Sequence, residues 1–202
     1  MVENTNTRFN HTSGLGNNGP TTICTQISNP TISLRKLISY SMFQMIAALN
    51  PDIIESITLY DVAYDSSPSK IAIFQFKPLF PSLCATPCYM CMRIDRIESV
   101  TNNSSEKIVF LGKQYTPDGS TADPIESVLD TIRKTHIQIV YKESTTTMIL
   151  IDESTISVEY IFDAQLDHPI GDTKYAKQII SKMMHRIFSR LKTGIEGVKG
   201  GE

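Results

Sequence analysis

Between Ser33 and Leu49 the residues Leu34, Leu37, Ile38, Met42, Met45, Ile46 and Leu49 recur at three- and four-residue spacing. That period lays one apolar stripe along a helix. Thr31 or Ser33 can accept a bond from the exposed first-turn amides. Asn50-Pro51 ends the helix, because a residue before proline avoids helical angles. A second helix is predicted with Asp123 at its cap, Pro124 in the first turn and Glu126 three residues after the cap. Ile125, Val128, Leu129 and Ile132 then share one face. A third helix is predicted from Asp172 to Leu191, capped by Asp172 or Thr173 and closed by Gly194 in a left-handed conformation. Its apolar face is Ile179, Ile180, Met183, Met184, Ile187, Phe188 and Leu191.

The other apolar runs are strand-like. Thr21 to Ile27, Ile57 to Tyr64, Ile71 to Phe76 and Lys107 to Tyr115 are rich in β-branched and aromatic residues and end at Asn, Ser, Pro or Gly. The chain is extended again at Ile137, Ile139 and Tyr141. A hairpin then joins Thr146–Ile151 to Thr155–Phe162 through Asp152-Glu153-Ser154. In its second arm Ile156, Val158, Tyr160 and Phe162 alternate with polar residues, the mark of an antiparallel sheet buried on one face.

Many hairpins and few helices exclude a doubly wound parallel sheet and predict an α+β fold, a mostly antiparallel sheet covered by amphipathic helices. The polar, Asn- and Thr-rich residues 1–20 read as a disordered tail, 21–194 as one domain, and 195–202 as a flexible C-terminal tail. A chain of 202 residues that is 41% hydrophobic and 20% charged can bury a core without disulfides. Neither a leader-like apolar segment nor a run of about 18 apolar residues is evident. The expected location is intracellular and cytoplasmic, with reduced cysteines.

The formal net charge is −2, unevenly spread. Residues 1–171 hold 12 Lys/Arg against 18 Asp/Glu, whereas residues 172–202 hold 7 against 3. A net-acidic body argues against nucleic acid as a partner. The basic third helix, with Lys174, Lys177, Lys182, Arg186, Arg190 and Lys192, is a candidate surface for an acidic protein or an anionic membrane.

The sharpest motif is Cys84-x-x-x-Cys88-x-x-Cys91, with Met90 before the third cysteine. Its spacing resembles the signature of the radical S-adenosylmethionine enzymes. The resemblance implies three thiolates on a four-iron cluster with one iron open to the cofactor. It covers eight residues, and the hairpins that follow depart from the repeated strand–helix units of that family. A structural zinc site is an alternative, with a fourth ligand from Cys24, His11, His136, His168 or His185. The third alternative is a set of reduced thiols on a strand, where Met90, Met92 and Ile94 alternate with Cys91, Arg93 and Asp95.

Other signals lack their context. Gly14-Leu15-Gly16-Asn17-Asn18-Gly19 matches a dinucleotide-binding glycine pattern but has no strand before it and no helix after it. Asp163, Asp167, His168 and Asp172 form a turn-rich connection that could hold a metal. No nucleophile elbow or phosphate-binding loop occurs. The sequence thus favours a non-enzymatic binding or assembly protein without a cofactor, a self-associating, viral-matrix-like protein being one concrete case. A metal- or cluster-dependent protein using Cys84, Cys88 and Cys91 is the alternative. A sheet curled around a helix could also hold an apolar ligand.

Overall fold

The computed structural model describes residues 20–62, 69–79, 85–101, 105–117, 124–166 and 174–199. Among these residues seven strands form one sheet: β1 (Thr21–Ser28), β2 (Ile54–Asp61), β3 (Ser69–Phe76), β4 (Cys88–Val100), β5 (Glu106–Gln114), β6 (Ile137–Asp152) and β7 (Thr155–Leu166). Their spatial order is β1-β7-β6-β5-β4-β3-β2. Every adjacent pair is antiparallel. Where β5 ends, β4 and β6 meet in a short parallel bridge, Cys88 opposite Ile137 and Tyr89 opposite Gln138. Two strands can touch across a third only if the sheet curls there.

Among the described residues three α-helices cover the sheet: α1 (Ser41–Leu49), α2 (Pro124–Arg133) and α3 (Lys174–Glu196). The expected α+β architecture with a mostly antiparallel sheet is the observed one. α1 and α3 lie on the inner face, where Met42, Phe43, Ile46, Ile180, Ile187, Phe188 and Leu191 join the main core. α2 covers the opposite face, packing Ile125, Leu129 and Ile132 on Ile71, Ile73, Tyr89 and Cys91. The alternation of β3 and β4 produces both cores, since successive side chains leave a strand on opposite sides.

The structure departs from sequence expectation in several places. The first helix is broken: a 3-10 turn spans Leu34–Leu37 and α1 begins only at Ser41. The Ser39 hydroxyl lies 2.6 Å from that of Ser41, and the Ser39 N–H donates to the Leu37 carbonyl at 2.8 Å. Such local bonds compete with a helical ladder. Tyr40 instead reaches the sheet, donating to the Ile94 carbonyl at 3.1 Å. Neither proposed cap acts at the start of this segment: Ser33 bonds Glu153, and the Thr31 hydroxyl bonds Asn29. Asn50 does end α1, with its side-chain amide donating to the Ile46 carbonyl at 2.9 Å. The segments expected around Ile137–Tyr141 and Thr146–Ile151 are one long strand, β6, whose register shifts between Tyr141 and Glu143.

α3 runs on to Glu196, past the end expected at Leu191, with Gly194 inside it and Ile195 buried. Gly194 serves a close approach rather than a left-handed cap: a Cβ there would stand 2.7 Å from Leu49 Cδ1. Asp123, Asp172, Thr173, the Gly14–Gly19 motif and residues 200–202 lie outside the described residues. No helix among the described residues is long and apolar enough to cross a membrane.

Candidate functional site

The inner face of the sheet does not close completely on the helices. A cavity remains, walled by Met42, Phe43 and Ile46 from α1 and by Met184, Ile187 and Phe188 from α3. Its sheet wall comes from one side chain in two along each strand. These are Ile54 of β2, Phe74 and Phe76 of β3, and Met90, Met92 and Ile94 of β4. Phe110 and Gly112 of β5, Ser144 and Thr146 of β6, and Tyr160 of β7 complete it. Aromatic edges stiffen the wall: Phe43 meets Phe74 at 6.0 Å and Phe110 at 5.9 Å between ring centroids, both near perpendicular. Tyr160 lies 4.8 Å from Phe188, joining the sheet to α3.

The cavity is narrow, with about 50 Å³ of room for atom centres inside about 600 Å³ of unfilled space that includes its mouth. Its described walls carry no charged side chain. The polar exceptions are the hydroxyls of Ser144, Thr146 and Tyr160, and burial pushes the Tyr160 phenol up to about 12. These groups stay neutral at physiological pH, so the cavity is a site for apolar contact and neutral hydrogen bonds. Among its walls, Met42, Met90, Met92 and Met184 are unbranched thioethers that repack at little cost. A second, more open depression of about 340 Å³ lies beside α3. Ile53, Pro78, Leu79, Ile179 and Met183 line it, rimmed by Asp52, Lys77, Lys182 and Arg186.

α3 is tied down at its C-terminal end. The Lys192 ammonium donates to the Gln26 carbonyl at 2.6 Å, and Glu196 accepts from the Ser28 N–H at 3.2 Å. Nearer the middle, Arg186 and Arg190 both pair with Asp52, just after α1. The Arg190 hydrogen bond holds the Asp52 carboxyl below the usual carboxylate range, and Arg186 adds to the effect.

The two described thiols of the proposed cysteine site do not converge. Cys88 belongs to the main core and Cys91 to the core under α2, so the two thiols leave β4 on opposite faces. Cys84 lies outside the described residues, and Cys24 sits on β1 beside Glu159. Among the described residues no three His, Cys, Asp or Glu side chains converge as metal ligands. Asp163 of the other candidate cluster lies in β7 and pairs with Lys142 at 3.2 Å; Asp167, His168 and Asp172 are outside the described residues. Of the basic helix residues, Arg186, Arg190 and Lys192 engage groups of this chain, while Lys182 is exposed at the rim of the second depression. Lys177 is half-buried, and the Lys174 side chain is outside the described set. Sequence reasoning gives the cavity's polar groups no site role: Tyr160 reads only as a buried strand position, and Ser144 and Thr146 sit in a polar stretch of residues 142–147.

No protein-family model matches the chain, and no curated protein matches it in sequence. Solved structures do match. The lipid transfer and protein localization domain of human StarD13 superposes with a TM-score of 0.57 at 7% identity, over 89% of this chain and 79% of that one. Human StAR-related lipid transfer protein 5 gives 0.56 at 6% identity, over 88% and 82%. Human STARD10 gives 0.53 at 8% identity over 84% of this chain, but this chain covers only 62% of that structure. At such identities the likeness establishes the fold alone: a helix-grip arrangement, in which a curled sheet wraps the C-terminal helix. It corrects the functional expectation. The apolar face of α3 is occupied by the sheet rather than offered for matrix-like assembly, and the fold neighbours are lipid-transfer domains. The metal or iron–sulfur alternative falls too, with Cys88 and Cys91 on opposite faces of the sheet.

Proposed function

We propose that this chain binds a lipid-like small molecule in the cavity between α1, α3 and the inner face of the sheet. The observation that carries the proposal is the cavity itself, a space with uncharged, mostly apolar walls between the helices and the sheet of an otherwise packed core. Interiors normally pack to the density of organic crystals, so a retained apolar void is unusual. Two fold neighbours with TM-scores above 0.5 are described as a lipid-transfer domain and a lipid transfer protein, which favours the same reading. Each methylene moved from water into such a site contributes about 0.8 kcal/mol, so about ten give the scale of a micromolar Kd. A ligand of that length exceeds the space described, and the four wall methionines supply the adjustment. Exchange with a membrane would use the exposed rim of Lys77 and Lys182 beside α3.

Delipidated protein titrated with a fluorescent long-chain alkyl probe tests the proposal. A saturable one-to-one rise in emission is expected. Met184→Trp, which pushes a larger ring into the cavity from α3, should weaken binding at least about tenfold, a loss of about 1.4 kcal/mol. A folded wild-type protein that binds no such probe would overturn the proposal.

A further inference from the structure

The cavity's one polar stretch is built by strand register. Gly112 of β5 stands opposite Ser144 of β6, and Ser144 stands opposite Phe162 of β7. In the next inward row Phe110, Thr146 and Tyr160 align across the same three strands. The register shift in β6 between Tyr141 and Glu143 reverses the alternation, so Tyr141, Ser144 and Thr146 are all buried inward. Gly112 leaves room for these hydroxyls: a Cβ at that position would lie 2.8 Å from Ser144 Oγ and 3.0 Å from Tyr141 Oη. The Tyr160 phenol adjoins the hydroxyls of both Tyr141 and Ser144. Three hydroxyls therefore gather behind a gap kept by one glycine.

This arrangement leaves hydrogen-bonding capacity unused. Tyr141 is 1% exposed, and its hydroxyl has the neighbouring Tyr160 phenol to bond. A hydroxyl can donate once and accept twice, so one such neighbour leaves positions open. We propose that this patch receives the polar end of the cavity's ligand, and that the ligand is a neutral amphiphile with a hydroxyl or carbonyl rather than a carboxylate or phosphate. The inference rests on the lipid-binding reading and specifies its ligand class. An anion placed here would lose its hydration with no Lys, Arg or His among the described cavity walls to replace it. A hydroxyl or carbonyl oxygen needs only a donor, and a buried phenol that remains protonated is one: burial pushes Tyr160, a cavity wall, up to about 12, and raises Tyr141 beside it.

Three probes of equal chain length separate the possibilities: a saturated alkane, its primary alcohol and its carboxylic acid, each competing with a fluorescent alkyl probe at neutral pH. Wild-type protein should prefer the alcohol over both others by about tenfold. Tyr141→Phe should erase the preference for the alcohol over the alkane, leave alkane affinity unchanged, and leave the melting temperature unchanged or higher. A merely structural Tyr141 would shift all three affinities together or lower the melting temperature. Ser144→Ala, which removes the neighbouring hydroxyl, should reduce the preference without abolishing it. Equal affinity for alcohol and alkane in the wild type, or tightest binding of the acid, overturns the inference while lipid binding stands. Failure of all three probes to compete overturns both.

Discussion

The side-chain amide of Asn29 donates to the backbone carbonyl of Ile195 at 2.6 Å, and the same nitrogen donates to Val198 at 2.8 Å. Asn29 is 1% exposed and follows β1, whereas Ile195 is in the last turn of α3. The final carbonyls of a helix have no partner within it. Here a residue more than 160 positions earlier supplies one, joining the two ends of the domain. Asn29→Ala should destabilise the protein by about 1–3 kcal/mol, the usual cost of orphaning buried polar groups. Equilibrium denaturation with urea measures it, and the loss should appear in the midpoint with little change in slope.

Gly112 makes a second prediction. A methyl at this position meets Ser144 Oγ at 2.8 Å and Tyr141 Oη at 3.0 Å, closer than unstrained contacts allow. Gly112→Ala should cost about 1–3 kcal/mol, as overpacked core substitutions do. The cost should be smaller in a Ser144→Ala background, where the nearer atom is gone. A double-mutant cycle of melting curves reads this coupling directly; additive effects would show that the two sites do not touch.

Asp52 gives a pH dependence with a definite sign. Its carboxyl titrates below the usual range because Arg190 bonds its charged form and Arg186 stands beside it. A carboxylate with a lowered folded value stabilises the protein at pH above its unfolded value and loses that contribution as pH falls through the folded one. The stability gap between wild type and Asp52→Asn should therefore persist at all pH above about 3.9, narrow below it, and vanish in stronger acid. The pair is solvent-exposed, so added salt should shrink the gap. Denaturation at a series of pH and salt values checks both trends.

Much of this architecture is legible in the sequence, and the exceptions have physical causes. α3 shows itself because Ile180, Met183, Ile187 and Leu191 keep helical period over many turns. β7 shows itself because it is buried on one face alone. β4 is ambiguous from Cys88 to Ile94, because both of its faces are covered there and the alternating pattern is lost: Cys88, Met90 and Met92 face α1 and α3, while Tyr89 and Cys91 face α2. The same double burial makes the cysteine spacing look like a ligand set when the thiols point apart. The break before α1 is hidden because Leu34 and Ile38 are buried as fully as residues of a continuous helix would be. The cavity is illegible for a different reason. Its residues come from both inner helices and from β2 through β7, and only the curl of the sheet brings them together. Gly112, Ser144 and Thr146 become meaningful once the register aligns them.

The central claim, a ligand held between α3 and the inner face of the sheet, is tested most directly by the methionine methyl groups. Met42, Met90, Met92 and Met184 line the cavity, whereas Met148 is buried elsewhere in the core and Met183 lines the outer depression. With methyl-labelled methionine, assigned by single substitutions, a long-chain alcohol should be titrated while methyl NMR spectra are recorded. The account predicts saturable shifts at Met42, Met90, Met92 and Met184, with Met148 and Met183 nearly unmoved. Shifts confined to Met183, or none at saturating alcohol, would contradict a ligand site beneath α3.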